Sequence, residues 1–228
     1  MASEVAAQRV GSGALGGPAG PSKWTARQVG RFKPVVFILA LYPVAHWVWL
    51  GFGDGLTANP PEFLIRSSGV WALALLCMTL GVTPLRRLIR QPALVRFRRM
   101  LGLFSFFYTA LHVWAWAYWE RGWSLSSMGE DVLQRPFIAI GLVATVGLLA
   151  LACTSTRGWM RRMGHWWVVL HRVVYVAAVL SVWHFWLIRA GKNNFLEPYV
   201  YGAVVGVLLV VRAGIYWRER RVGGGMVS

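Results

Sequence analysis

Six apolar segments, each close to twenty residues long, divide this chain of 228 residues. They cover residues 34–53, 63–82, 101–119, 136–155, 168–188 and 198–217. A helix needs about 20 apolar residues to cross a bilayer, because each residue adds about 1.5 Å of length. Only 14% of the residues are charged, whereas a soluble domain carries about 25%. The pattern therefore predicts an all-α integral membrane protein, built as a bundle of six transmembrane helices.

The sequence outside the apolar segments predicts no second domain. Residues 1–22 are rich in Gly, Ala, Ser and Pro and contain no apolar stretch of the kind found in a cleavable signal peptide. We therefore expect residues 1–33 to form a flexible cytoplasmic tail. Residues 34–217 are expected to form the transmembrane domain, and residues 218–228 a short cytoplasmic tail at the C-terminus.

The basic residues cluster on one side of the predicted membrane. The chain has 24 Lys and Arg residues against 8 Asp and Glu, a formal net charge of +16. The basic residues concentrate in the two tails and in the loops after the second and fourth spans, while the other loops hold most of the acidic residues. Cytoplasmic loops of membrane proteins carry an excess of Lys and Arg, so both termini are predicted in the cytoplasm. This topology explains the net positive charge without a nucleic-acid partner. Docking of a cofactor phosphate or of an acidic partner to the basic residues stays open.

Histidines are the candidate functional residues within the spans. His46 lies in the first span, His112 in the third, and His171 and His184 in the fifth. His112 and His184 fall at one depth past the middle of the bilayer, where two imidazoles can ligate both axial positions of a haem iron. His171 lies roughly 20 Å from His184 along an ideal helix, near the inner face, and about 140° around its axis. It is a candidate ligand of a second haem if the helix is distorted.

Plainer roles are open for these and other residues. The histidines can make structural hydrogen bonds, His46 can serve packing, and His165 can be a loop residue without a special role.

Cys77 and Cys153 lie in apolar runs without a CxxC motif, which argues against zinc and iron–sulfur sites. The absence of acidic residues from the spans argues against a proton-coupled transporter. Many aromatic residues lie at the outer ends of the spans, as an interfacial belt or as packing around a porphyrin.

Three stretches of the sequence resemble a known family. They are RRMLGLFSFFYTALH, QRPFIAIG and TSTRGWMRRMGHWWVVLHRVVYVAAVLSVWHFWL. Together they resemble the MsrQ (YedZ) family, the haem-binding membrane subunits of bacterial methionine sulfoxide reductase systems, over about residues 34–217. That family is in turn similar to the transmembrane core of ferric reductases and NADPH oxidases.

The resemblance implies a cofactor set. In the wider family, two histidines on the third span and two on the fifth hold two stacked b-type haems. His112 and His184 match the outer positions, and His171 matches the inner position of the fifth span. The inner position of the third span falls near Arg98 or Arg99, which cannot ligate iron, so we expect one haem b and leave a second open. The resemblance also implies FMN, which we expect at the inner level among the arginines.

The resemblance also implies a function. It predicts a b-type cytochrome of the bacterial inner membrane, without a substrate-reducing site, that passes electrons to MsrP, a periplasmic molybdenum-cofactor reductase that repairs oxidised methionine. Residues 218–228 are too few for a flavin and nicotinamide domain, so the expected donor is the quinone pool or a cytoplasmic flavin reductase. The alternatives are a ferric-reductase-like or quinone-linked cytochrome b with another acceptor, a small transporter, and a membrane anchor for a periplasmic enzyme.

Overall fold

The computed structural model describes residues 24–53, 55–191 and 195–224, and within them the regular structure is helical, with no strand. The helices are α1 Ala26–Phe52, α2 Pro60–Leu88, α3 Val95–Ala115, α4 Leu125–Gln134, α5 Pro136–Cys153, α6 Arg157–Met163, α7 His165–Leu170, α8 Val173–Ala190 and α9 Leu196–Gly224. A 3-10 turn, Pro92–Leu94, precedes α3, and a π-helical segment, Trp116–Glu120, follows it.

Six helical segments in the described residues are long and apolar enough to cross a membrane. They are Arg27–Phe52, Pro60–Leu88, Pro92–Glu120, Pro136–Cys153, His165–Ala190 and Leu196–Glu219. Each of them overlaps one of the six apolar segments of the sequence. The prediction of an all-α bundle with six membrane-spanning helices is therefore confirmed.

Both terminal helices extend beyond the predicted transmembrane domain. The first helix begins at Ala26, inside the tail assigned to residues 1–33, and Thr25 caps it. The Thr25 hydroxyl accepts from the Gln28 backbone N–H and the Gln28 side chain accepts from the Thr25 backbone N–H, which forms a capping box. The last helix continues to Gly224. Charged residues ended the apolar pattern at both places, but a helix can continue out of the hydrocarbon layer. Residues 1–23 and 225–228 of the predicted tails lie outside the described residues.

The α2 helix lies at the centre of the bundle and contributes to two apolar clusters. The first cluster joins α2 to α5, α8 and α9, with buried members Leu73, Leu76, Cys77, Leu80, Leu148, Leu151, Val174, Ala177, Ala178 and Val205. The second joins α2 to α1 and α3, with buried members Ala40, Ala72, Leu75, Val82, Leu101, Phe104 and Tyr108. Because apolar burial gains little in lipid, hydrogen bonds between helices add to the packing. The Tyr108 hydroxyl donates to the Ala40 carbonyl at 2.7 Å, and the Ser105 hydroxyl to the Ala72 carbonyl at 2.9 Å.

The fifth span is broken rather than continuous. His171 and Arg172 form a turn between α7 and α8. The angle of 140° between His171 and His184 assumed an ideal helix, so it does not describe this span. We call the end of the bundle at which α3 and α8 end the outer end, and the opposite end, which carries the arginines after α2, the inner end.

Candidate functional site

His112 and His184 face each other across the bundle. His112 lies one turn before the end of α3, and His184 lies near the outer end of α8. Their ring centroids are 6.1 Å apart and their planes are nearly perpendicular, at 88°. The structure thus brings together the two side chains that the sequence placed at one depth.

Hydrogen bonds to backbone carbonyls fix the protonation of both rings. The Nδ1 atom of His112 lies 2.8 Å from the carbonyl oxygen of Ile65 in α2, and the Nδ1 atom of His184 lies 2.6 Å from that of Phe137 in α5. A carbonyl oxygen can only accept, so each Nδ1 carries the hydrogen and donates it. In the neutral ring the Nε2 atom then keeps its lone pair, which is the state that binds a metal.

Two glycines allow each histidine ring to lie against the backbone of a neighbouring helix. An ideal Cβ atom at Gly69 would lie 3.1 Å from the His112 ring, and one at Gly141 would lie 2.7 Å from the His184 ring. Any larger residue would therefore press on the imidazole, most severely at Gly141.

The same local arrangement occurs twice in the chain. Each glycine lies four residues after the carbonyl acceptor, and each histidine lies 47 residues after it. These glycines and acceptors were not predicted from the sequence. The signal that could have found them is the equal spacing of the sets Ile65–Gly69–His112 and Phe137–Gly141–His184.

A cavity of about 1110 Å³ between α2, α3, α5 and α8 contains the two histidines. Its inner part is lined mainly by Leu73, Leu76, Ala144 and Leu148, together with a few hydroxyl groups. Its outer part carries charged and polar side chains, namely Asn59, Glu62, Arg66, Trp116, Glu120, Arg135 and Arg189. Apart from the histidines and these hydroxyl groups, the polar and charged side chains thus lie in the outer part, where apolar side chains such as Trp119, Met128 and Ile188 also line the cavity. Its volume is that of a site for a large, mainly apolar molecule.

The residues of this cavity fit a haem group. A metal bonded to both Nε2 atoms at about 2 Å would separate the ring centroids by about 6 Å, which is the separation observed. Within the described ranges, no group of three or more His, Cys, Asp or Glu could hold a bare metal ion. Two facing imidazoles in an apolar cavity therefore suit an iron that brings its own equatorial ligands, as haem does.

His171 lies apart from this cavity, in the turn between α7 and α8. Its Nδ1 atom donates to the Trp167 carbonyl at 3.0 Å, and its ring stacks on the Trp167 ring with centroids 3.9 Å apart. Arg98 of α3 is close enough to act on it electrostatically. Arg98 is one of the two arginines, Arg98 and Arg99, that the resemblance places near the inner position of the third span.

The other two histidines do not line the cavity. His46 stacks on Tyr42 of its own helix, with ring centroids 5.7 Å apart. His165 packs against the adjacent Trp166. Neither residue reaches the facing pair, which agrees with the plainer roles that the sequence left open for them.

A cluster of arginines lies at the inner end of the bundle. Arg212 of α9 donates to the Leu80 carbonyl at 2.8 and 3.1 Å, to the Tyr175 hydroxyl at 2.7 Å and to the Thr83 hydroxyl at 2.9 Å. Arg98 interacts electrostatically with Arg212 and with Arg86. The Nε atom of Arg86 is buried and has no hydrogen-bond partner in the described part of the chain. Arg212 was not predicted as a site residue, and a lone arginine inside the last apolar segment is the signal that could have found it.

The chain is similar in sequence to a family of membrane proteins. Residues 68–182 match the family described as ferric reductase like transmembrane component. Curated relatives named protein-methionine-sulfoxide reductase heme-binding subunit MsrQ include one from Bordetella parapertussis, 54% identical over 203 residues, which cover 89% of this chain and 98% of the relative. Another, from Ralstonia nicotianae, is 46% identical over 91% of this chain and 97% of its own length. No solved structure matches the chain significantly.

Proposed function

This chain belongs to the MsrQ family, whose transmembrane domain is ferric reductase-like. From that premise we propose that it is a b-type cytochrome that carries electrons across a membrane. The observation that carries the proposal is the facing pair of His112 and His184, with the Nδ1 atom of each ring bound to a backbone carbonyl. When bound, haem supplies a centre that accepts and releases one electron. Its iron would be held by the two Nε2 atoms.

The protein has three roles in this proposal. The carbonyls of Ile65 and Phe137 hold the imidazole rings in one tautomer and one orientation. The apolar inner wall of the cavity excludes water from the porphyrin, and its low polarity helps to set the reduction potential. The helices α3 and α8 would hold the two imidazoles at the separation that the iron needs. No substrate-reducing site is required in this chain, which makes it an electron-transfer subunit.

The acceptor that we propose is a periplasmic reductase of the MsrP type, on the outer side of the bacterial inner membrane. The curated relatives are named as subunits of protein-methionine-sulfoxide reductase, so repair of oxidised methionine is the activity that the electrons would serve. The haem site lies close to the outer ends of α3 and α8, which favours transfer to a partner at that surface. The positive residues after α2 favour a cytoplasmic inner end and cytoplasmic termini.

Electrons would enter at the inner end, from a quinone or from a cytoplasmic flavin reductase. We propose that Arg86 and Arg98 of the arginine cluster there bind the phosphate of FMN, while Arg212, whose guanidinium already donates to the Leu80 carbonyl and to two hydroxyl groups, adds positive charge. Guanidinium groups bind phosphate through charge-assisted hydrogen bonds, and the buried Nε atom of Arg86 is a donor that such a group would satisfy. A second haem at His171 is the alternative occupant of this level.

Absorption spectra and cofactor quantitation of the purified chain test this function. We expect a b-type spectrum in the wild type, and loss of most of the haem in His112→Ala and in His184→Ala. His46→Ala is the matched control, because His46 lies outside the cavity, and it should keep its haem. A colourless wild-type protein would support the transporter or the anchor instead. Full haem in either His112→Ala or His184→Ala would disprove the pairing of these two histidines. The amount of FMN in the same samples tests the proposed flavin site at the inner end.

A further inference from the structure

The hydroxyl groups on the inner wall of the haem-sized cavity are already engaged. Thr109, Thr145 and Ser181 all line this cavity on the inner side of the histidines. Each donates to a carbonyl four residues earlier in its own helix, at 2.9, 2.9 and 2.8 Å respectively. Because their hydrogens are used within the helices, these groups offer no donor to a molecule in the cavity.

The outer wall of the cavity, in contrast, has a buried donor without an acceptor. Trp116 lines the cavity four residues after His112, which places it about one helical turn further out. Its Nε1 atom is buried and has no hydrogen-bond partner among the residues that the structure describes. A buried indole N–H group normally finds a partner. The molecule that fills the cavity is therefore expected to present an acceptor near Trp116.

A buried cation lies on the same outer wall. Arg189 follows His184 by five residues, lines the cavity and is only 4% exposed. It forms an ion pair with Glu197, and Arg66 pairs with the same carboxylate. Two guanidinium groups that share one carboxylate leave a net charge of +1. Two acidic residues, Glu62 and Glu120, also line this end, but both are exposed to solvent.

We propose that Trp116 and Arg189, supported by Arg66, form a carboxylate-binding site for the propionate groups of haem. The proposal rests on the proposed function, which puts haem between His112 and His184. A b-type haem carries its two carboxylates on one edge and is otherwise apolar. The cavity has the same asymmetry, with engaged hydroxyls and leucines inside and an N–H donor and a buried cation outside. The propionate edge of the haem therefore points to the outer end.

Two tryptophans of one helix region provide the test. Trp116→Phe removes the indole N–H and keeps an aromatic ring, whereas Trp114→Phe makes the same change at a side chain that is 46% exposed and does not line the cavity. We expect Trp116→Phe to transfer haem to apomyoglobin at least about tenfold faster than the wild type, because a hydrogen bond to a charged acceptor is lost. Trp114→Phe should release haem at the wild-type rate.

Infrared spectroscopy measures the carboxylate band of the propionates, which a general loss of packing would not change. In protein loaded with haem labelled with ¹³C at the propionate carboxyl carbons, the isotope-sensitive carboxylate band should shift in Trp116→Phe and in Arg189→Gln. Arg189→Lys keeps the charge, so its carboxylate band should lie between the band of Arg189→Gln and that of the wild type. An unchanged band in both Trp116→Phe and Arg189→Gln, with haem retained, would overturn the carboxylate site and leave the histidine pairing intact. A wild type without haem would instead overturn the proposed function.

Discussion

The substitution Gly141→Ala should weaken haem binding while it leaves the helices intact. The added Cβ atom would lie 2.7 Å from Nδ1 of His184, a separation that real Cβ atoms essentially never show. To reach an ordinary contact of 3.4 Å, the ring must move by about 0.7 Å, the difference between these two distances. The ring cannot move that far and also keep its 2.6 Å hydrogen bond to the Phe137 carbonyl.

The cost of this movement can be estimated from general values. Overpacking of a well-packed site and loss of a buried hydrogen bond each cost about 1–3 kcal/mol. A net loss of about 2 kcal/mol weakens haem binding about thirtyfold, because each 1.4 kcal/mol is a factor of ten. The helix itself should gain about 1 kcal/mol from the replacement of Gly by Ala. That gain offsets part of the cost in the haem-free protein, so the affinity for haem is expected to fall more than the stability without haem.

Two further glycines calibrate the experiment. Gly69→Ala places its Cβ atom 3.1 Å from the His112 ring, so a smaller loss of haem is expected. Gly206→Ala meets nothing within 4 Å and should bind haem like the wild type. Haem per polypeptide is measured by the pyridine haemochrome method after purification, and stability by thermal unfolding in detergent. If Gly141→Ala keeps full haem and an unchanged spectrum, or loses no more than Gly206→Ala, the argument from ring position is refuted.

Three other predictions concern topology, electron entry and packing. Cysteines introduced at positions 86–99 should resist a membrane-impermeant reagent added outside the cell, and cysteines at 124–131 should react; the opposite pattern would invert the proposed orientation. His171→Ala should keep the haem between the other two histidines but slow its reduction by a flavin reductase and NADH, measured by stopped flow; unchanged kinetics would leave His171 a structural residue. Tyr108→Phe should lower the free energy of unfolding by about 1 kcal/mol, because it loses its bond to a carbonyl of α1, with no change in haem content.

The spans and the depth of the histidines could be predicted from the sequence because both are local properties. A run of about 20 apolar residues fixes a membrane-spanning helix, since each residue adds about 1.5 Å. The same rise gives the level of His112 and of His184 without any knowledge of their neighbours. The ends of the terminal helices were predicted less well, because the apolar pattern stops at Lys33 and at Arg218 while hydrogen bonding continues the helix.

Only the tertiary structure decided which way the side chains point. The direction of a side chain depends on the rotation of its helix, which is set by packing against all neighbouring helices. Packing alone placed Gly141 against His184 and buried the N–H of Trp116 where no other described residue accepts it. It also revealed the break at His171, which no apolar pattern marks. The sequence by itself determined the depth of the two facing histidines, and the fold determined that they face each other at the distance that haem requires.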